Sequence, residues 1–176
     1  MKTLNSSAAF QYKQLVKSVI DFYKVDKEDT NVGLVVYSSL TITKFTFQTH
    51  YAKPDINQMI DSMDYPANGT YTGSALMAVQ NDLFAQAQSG RHNCLVTLTD
   101  GVSNDDVSLP SAHLRAMKVV TLAVGVGEFY AAEELQLIAS TPSNVFEAPS
   151  YDQLPSTADR IKETLCNGKI CCFSTT

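Results

Sequence analysis

The run Val96-Thr97-Leu98-Thr99 is β-prone and ends at Asp100-Gly101. In an open α/β sheet, ligands bind just outside the carboxyl ends of the strands. A carboxylate there can ligate a metal, act in catalysis or close a turn, and the residues alone leave these three readings of Asp100 open. Cys166, Cys171 and Cys172 crowd the end of the chain. Their spacing is not that of a zinc ribbon, and they read as the disulfide candidates of a secreted protein's tail. Cys94, at the head of the apolar run, reads as a buried, inert thiol. Asn5-Ser6-Ser7 and Asn68-Gly69-Thr70 match the N-glycosylation acceptor pattern, which makes Asn5 and Asn68 candidates. His50, His92 and His113 are scattered without ligand spacing. No nucleophile elbow, phosphate-binding loop or cysteine–histidine pair occurs, and Gly125-Val126-Gly127 lacks the third glycine of a dinucleotide fingerprint.

These residues need a scaffold, and the apolar pattern specifies one. Residues 10–23 carry an apolar helical face through Leu15, Val16, Val19, Ile20 and Phe22. Residues 31–37 form a continuous apolar run, as a strand buried on both faces requires. Residues 40–47 alternate with a period near two and predict an antiparallel edge strand in a hairpin with the run before it. Helices are predicted over 53–63 and 74–88, around a loop at 66–73 marked by Pro, Asn and Gly. The Asp100 strand follows, then a polar loop with Asp105-Asp106 as a solvated or capping pair, and a short helix over 111–117. A second strand at 118–124, a short helix at 131–139 and a short strand at 144–147 come next. The closing helix spans 151–165, capped by Asp152 or Ser150. Strands alternating with helices imply a parallel α/β sheet covered on both faces.

A chain of 176 residues suits one domain with a proper core. Hydrophobic content of 44% against 18% charged residues excludes a disordered chain. The net charge of -5 argues against a nucleic-acid surface. No apolar stretch approaches the ~18 residues that span a bilayer, and the first residues lack the apolar core of a signal peptide.

Four segments together resemble the von Willebrand factor type A domain, a module of matrix proteins and of the integrin inserted domain. They are Val32-Gly33-Leu34-Val35-Val36-Tyr37-Ser38, Gly69-Thr70-Tyr71-Thr72-Gly73-Ser74-Ala75-Leu76, Leu98-Thr99-Asp100-Gly101-Val102-Ser103-Asn104-Asp105 and Val124-Gly125-Val126-Gly127. The resemblance implies a doubly wound, mostly parallel sheet of order 3-2-1-4-5-6 with one antiparallel edge strand. It also implies a metal-ion-dependent adhesion site holding Mg²⁺ or Mn²⁺. In that family the ligands come from an Asp-x-Ser-x-Ser motif after the first strand, a threonine and an aspartate. Thr70 matches the threonine and Asp100 the aspartate, and such oxygens suit a hard octahedral cation. The motif itself departs: Asn5, Ser7 and Ala9 fall at its three ligand positions, so an amide replaces the carboxylate and a methyl the last hydroxyl. Residues 1–4 would have to supply the central first strand, which makes that strand short or missing. A domain is expected over 1–166, incomplete at its N-terminus, with a cysteine-containing tail at 167–176.

The function implied is an extracellular, non-catalytic module for cell adhesion or matrix assembly. It would bind matrix proteins such as collagen through a partner's acidic side chain on the metal, at a site weakened by the altered motif. Disulfide-linked neighbours or further domains of a parent protein are the other expected partners; nucleic acid and membrane insertion are not. A glycan on Asn68 would crowd this face. The alternatives are a structural matrix domain with a vestigial metal site and, from another class, a phosphoryl-transfer or hydrolase enzyme using Asp100.

Overall fold

A computed structural model describes residues 6–64 and 69–167. Among these residues the apolar runs form two sheets. β1 (Leu34–Tyr37) pairs antiparallel with β2 (Thr41–Phe45), with Tyr37 opposite Thr41 and Leu34 opposite Phe45. β3 (Cys94–Thr99), β4 (Val120–Val126) and β5 (Val145–Ala148) form a parallel sheet in that order. The fold is the doubly wound α/β arrangement, because each sheet face carries helices. α1 (Ser6–Asp21) and α6 (Leu154–Asn167) cover one face. There Tyr12, Leu15, Ile161 and Leu165 pack on Leu122, Val124, Val126 and Phe146. On the other face lie α3 (Thr72–Ala78), α4 (Ser108–Ala116) and α5 (Ala132–Ile138). Their Leu76, Leu114, Leu135 and Ile138 meet Ala123. Alternate residues of β4 thus feed opposite cores, as the two-residue period of a strand requires. α2 (Lys53–Asp61) buries Ile56 and Ile60 with Ile20 and Phe45 in a third cluster.

Element boundaries follow local chemistry. α3 runs on as a π-helical turn (Val79–Leu83) and a 3-10 turn (Phe84–Gln86), keeping Val79, Leu83 and Phe84 inward. α4 begins at Ser108, before the expected residue 111, because Asp106 accepts hydrogen bonds from the amides of Ser108 and Leu109. Pro110 then lies in the first helical turn, where its missing N–H costs nothing. The closing helix is preceded by a 3-10 turn (Tyr151–Gln153), so neither Asp152 nor Ser150 caps it; Ser150 makes no side-chain cap. In β2, Leu40 just before the strand and Ile42 within it are exposed while Phe45 is buried, as an edge strand allows.

Two cysteine expectations are corrected. Cys94 is half-buried at the start of β3, and it is disulfide-bonded rather than an inert thiol. Cys166, in the last turn of α6, carries a free thiol rather than a bridge. Cys171 and Cys172 lie outside the described residues, as do residues 1–4, expected to supply the first strand.

Burial falls toward the middle of the fold. β4 is buried over six of its seven residues, whereas β1 is only half-buried throughout and β3 over four of its six. In the expected strand order β1 and β3 flank the first strand, and among the described residues each of them pairs on one side. The Tyr37 hydroxyl crosses from β1 and donates to the Leu98 carbonyl of β3 at 2.8 Å, tying the two sheets together. Removing that donor strands a partly buried acceptor. Tyr37→Phe is expected to lower the unfolding free energy in urea by about 1–3 kcal/mol; an unchanged midpoint with unchanged slope would contradict the clamp.

Candidate metal centre

The strands end their parallel run at one edge, and two loops meet there. The first, residues 69–74, leads into α3; the second, 100–106, leaves β3. Thr70 and Asn104 exchange two bonds: the Thr70 amide donates to Asn104 Oδ1 at 2.7 Å and the Asn104 amide to the Thr70 carbonyl at 2.7 Å. Asp105 binds the start of α3. Its carboxylate accepts from the Gly73 and Ser74 amides, each at 2.7 Å, from Ser74 Oγ at 2.6 Å and from Ser103 Oγ at 2.9 Å. From the other side, Glu134 of α5 accepts the Ser103 amide at 2.8 Å. The Tyr71 amide donates to the Ser38 carbonyl just beyond β1, which joins the first loop to the smaller sheet.

Close approach of the loops depends on two glycines. A Cβ at Gly73 would lie 2.0 Å from the Asp106 carbonyl oxygen, so no side chain fits. A Cβ at Gly101 would lie 3.0 Å from Thr70 Oγ1. The hydroxyl of Thr70 is therefore seated over the backbone immediately after Asp100. Among the described residues no protein group takes that hydroxyl.

Asp100 is held by a different element. The Tyr151 hydroxyl, in the turn before α6, donates to Asp100 Oδ2 at 2.9 Å. Burial, then the charge of Asp100 and the bond to it, push the Tyr151 hydroxyl's pKa up, so it stays a protonated donor at physiological pH. Beneath the loops, burial likewise pushes Tyr37 up, with help from the charges of Asp100 and Asp105. Burial also opposes ionisation of Asp105, but its hydrogen bonds from Ser74, Ser103 and Gly73 outweigh it and hold the carboxyl below its usual range.

The structure thus brings Thr70 and Asp100 together. Ser7 lies exposed in the first turn of α1, while Asn5 and Asn68 lie outside the described residues. Among the described residues no three His, Cys, Asp or Glu side chains cluster around one point. The donor chemistry nevertheless fits a hard divalent cation, which takes hydroxyl and carboxylate oxygens and keeps waters of its own. The glycine cradle at residue 101 fits it too. Asp105 cannot join, because its oxygens are consumed by the α3 amides and two serine hydroxyls. Sequence reasoning missed Tyr151, Asn104 and Asp105 as parts of the site. Asn104 and Asp105 had one signal, a polar cluster directly after a strand-end carboxylate. Tyr151 had none, since its distance from Asp100 in the chain is long.

Comparison with known proteins places this geometry among relatives. The model of the von Willebrand factor type A domain matches residues 3–160. Matrilin-4 of Mus musculus is 33% identical over 162 residues, covering 88% of this chain and 26% of its own length. Vitrin of Homo sapiens is 32% identical over 157 residues, covering 87% of this chain and 23% of its own. The chain thus spans about a quarter of these relatives. Among solved structures, proximal thread matrix protein 1 from the mussel byssus superposes with a TM-score of 0.87 at 26% identity, over 93% of this chain and 42% of that one. Its form with a zinc occupied MIDAS motif gives 0.84 at 27% identity, over 89% and 40%.

Two outcomes follow from the latch. Asp105→Ala is expected to cost about 2 kcal/mol of stability, the scale of a charged hydrogen-bond acceptor lost beside buried donors. Because the folded pKa of Asp105 is depressed, its contribution is complete above the unfolded value near ~3.9 and fades as pH falls through the folded value. The wild type should therefore lose stability below about pH 4 more steeply than Asp105→Ala in parallel acid titrations. Gly73→Ala should destabilise by about 1–3 kcal/mol through overpacking against the Asp106 carbonyl, read from thermal melts; a neutral substitution would contradict the close contact.

Proposed function

The chain belongs to the von Willebrand factor type A domain family, and from that premise we propose that it is an extracellular, non-catalytic module for adhesion or matrix assembly, binding its partners through a divalent cation at Thr70 and Asp100. The observation that carries this reading is the seating of the Thr70 hydroxyl over Gly101, the residue after Asp100, on two loops bonded to each other. When bound, Mg²⁺ or Mn²⁺ supplies a positive centre with an open position for a partner's Glu or Asp carboxylate. Thr70 offers a neutral oxygen and Asp100 an anionic one. Ser7 and Asn5 are further donors by resemblance alone. With an amide at residue 5 in place of a carboxylate, less negative charge offsets dehydration of the cation, so affinity is weak. The disulfide at Cys94 suits an oxidising, extracellular compartment. Matrix proteins, collagen among them, are the partner class this reading favours. A domain over residues 1–166 followed by a cysteine-containing tail goes with it.

One observation favours a second reading, a structural matrix module with a vestigial metal site. Asp100 Oδ2 already has a protein donor in Tyr151, so the carboxylate is not bare without a cation. Calorimetric titration with Mg²⁺ and Mn²⁺ separates the two. The adhesion reading expects binding on the order of 10⁻⁴–10⁻³ M, the range of extracellular cation modules, abolished by Asp100→Ala. Absent binding, or binding that survives this substitution, would leave the structural reading.

A further inference from the structure

Asp100 is tied to α1 through a tyrosine. The Tyr151 hydroxyl donates to Asp100 Oδ2 at 2.9 Å, and its ring rests against Tyr12, buried on α1. The two rings meet edge-on, with centroids 5.6 Å apart and planes at 80°. Tyr151 also packs on the core cluster of Leu154, Ala158 and Val126. Its hydroxyl therefore cannot swing away without breaking its bond to Asp100 and moving the ring off Tyr12 and the core.

We propose that Tyr151 is a positioning residue for cation binding: its hydroxyl, carried on a ring held against Tyr12 and the core, donates to Oδ2 and fixes the Asp100 side chain in one orientation, so that Asp100 meets a divalent cation through Oδ1. The inference rests on the reading of Thr70 and Asp100 as cation ligands. It explains how a site with a reduced donor set can still bind. A carboxylate whose orientation is set by folding loses no further freedom on binding, and the ordering cost falls on the folded scaffold rather than on the encounter with the ion. Hydrogen-bond partners of metal ligands act in this way, and their loss commonly weakens metal affinity about 10–100-fold. The arrangement separates positioning from packing, because a phenylalanine at residue 151 keeps the ring against Tyr12 and the core and removes only the hydroxyl.

The test is Mg²⁺ and Mn²⁺ titration of the wild type, Tyr151→Phe, Tyr12→Phe and Asp100→Ala, by calorimetry and by near-ultraviolet difference absorbance. The chain has no tryptophan, so that absorbance is dominated by tyrosine. Tyr151→Phe is expected to bind about tenfold more weakly and to lose the tyrosine difference band that the cation induces in the wild type. Tyr12→Phe keeps the ring contact and should keep both the band and the affinity; a loss as large as that of Tyr151→Phe would overturn the specific role of the Tyr151 hydroxyl. Wild-type affinity and an unchanged band in Tyr151→Phe, with binding abolished in Asp100→Ala, would overturn the role of Tyr151 while leaving the cation site standing. Tighter binding by Tyr151→Phe would overturn it as well, by showing that the hydroxyl competes with the cation. A wild type that binds neither ion would overturn both the site and the role.

Discussion

The Asp105 carboxylate is the interaction on which the binding edge depends. It gathers two amides at the start of α3 and the hydroxyls of Ser74 and Ser103 onto one side chain. Those amides open the helix and have no partner within it. Placing an anion there satisfies them and complements the helix dipole. The same contact brings the loop after β3 against the loop before α3, and that in turn sets Thr70 over Gly101. The glycine at residue 73 exists for this approach, since the Asp106 carbonyl fills the space where a side chain would stand. The loops at this edge are thus held together by hydrogen bonds between their own residues, and among the described residues the Thr70 hydroxyl has no protein partner.

Behind the edge, the described strands differ in burial. β4 is flanked by β3 and β5, covered by helices above and below, and buried almost throughout. β1 and β3 are each paired on one side among the described residues, and both are half-buried. The tyrosine that bridges them, Tyr37, sits under the two loops and within reach of the charges of Asp100 and Asp105. Sheet integrity and site electrostatics therefore meet at one hydroxyl.

Much of this was legible in the amino-acid order, for identifiable reasons. Apolar runs ending in Asp100-Gly101 and Gly125-Val126-Gly127 mark strand ends whatever surrounds them, and the amphipathic faces of α1, α2 and α3 follow from spacing alone. The pairing of Thr70 with Asp100 came from resemblance, and the geometry supports their proximity. Other features were not legible, because they depend on contacts distant in sequence. Tyr151 reads as the first residue of a helix, and only folding brings it to Asp100. Asp105 reads as half of a solvated pair, yet of that pair only Asp106 is a plain helix cap. Cys94 reads as core because its neighbours are apolar, while its position at the beginning of β3 leaves it half-exposed and disulfide-bonded.

The central claim is that the latched loops present Thr70 and Asp100 as one cation-binding face. Paramagnetic broadening of amide resonances by Mn²⁺ tests it most directly, because it reports location as well as binding. The account expects broadening to begin at Thr70, Tyr71, Asp100 and Gly101, to spare the opposite edge of the sheet around Cys94, and to disappear in Asp100→Ala. Broadening centred instead on the half-buried carboxylates of Asp26 and Asp29, or spread evenly over the surface, would contradict it.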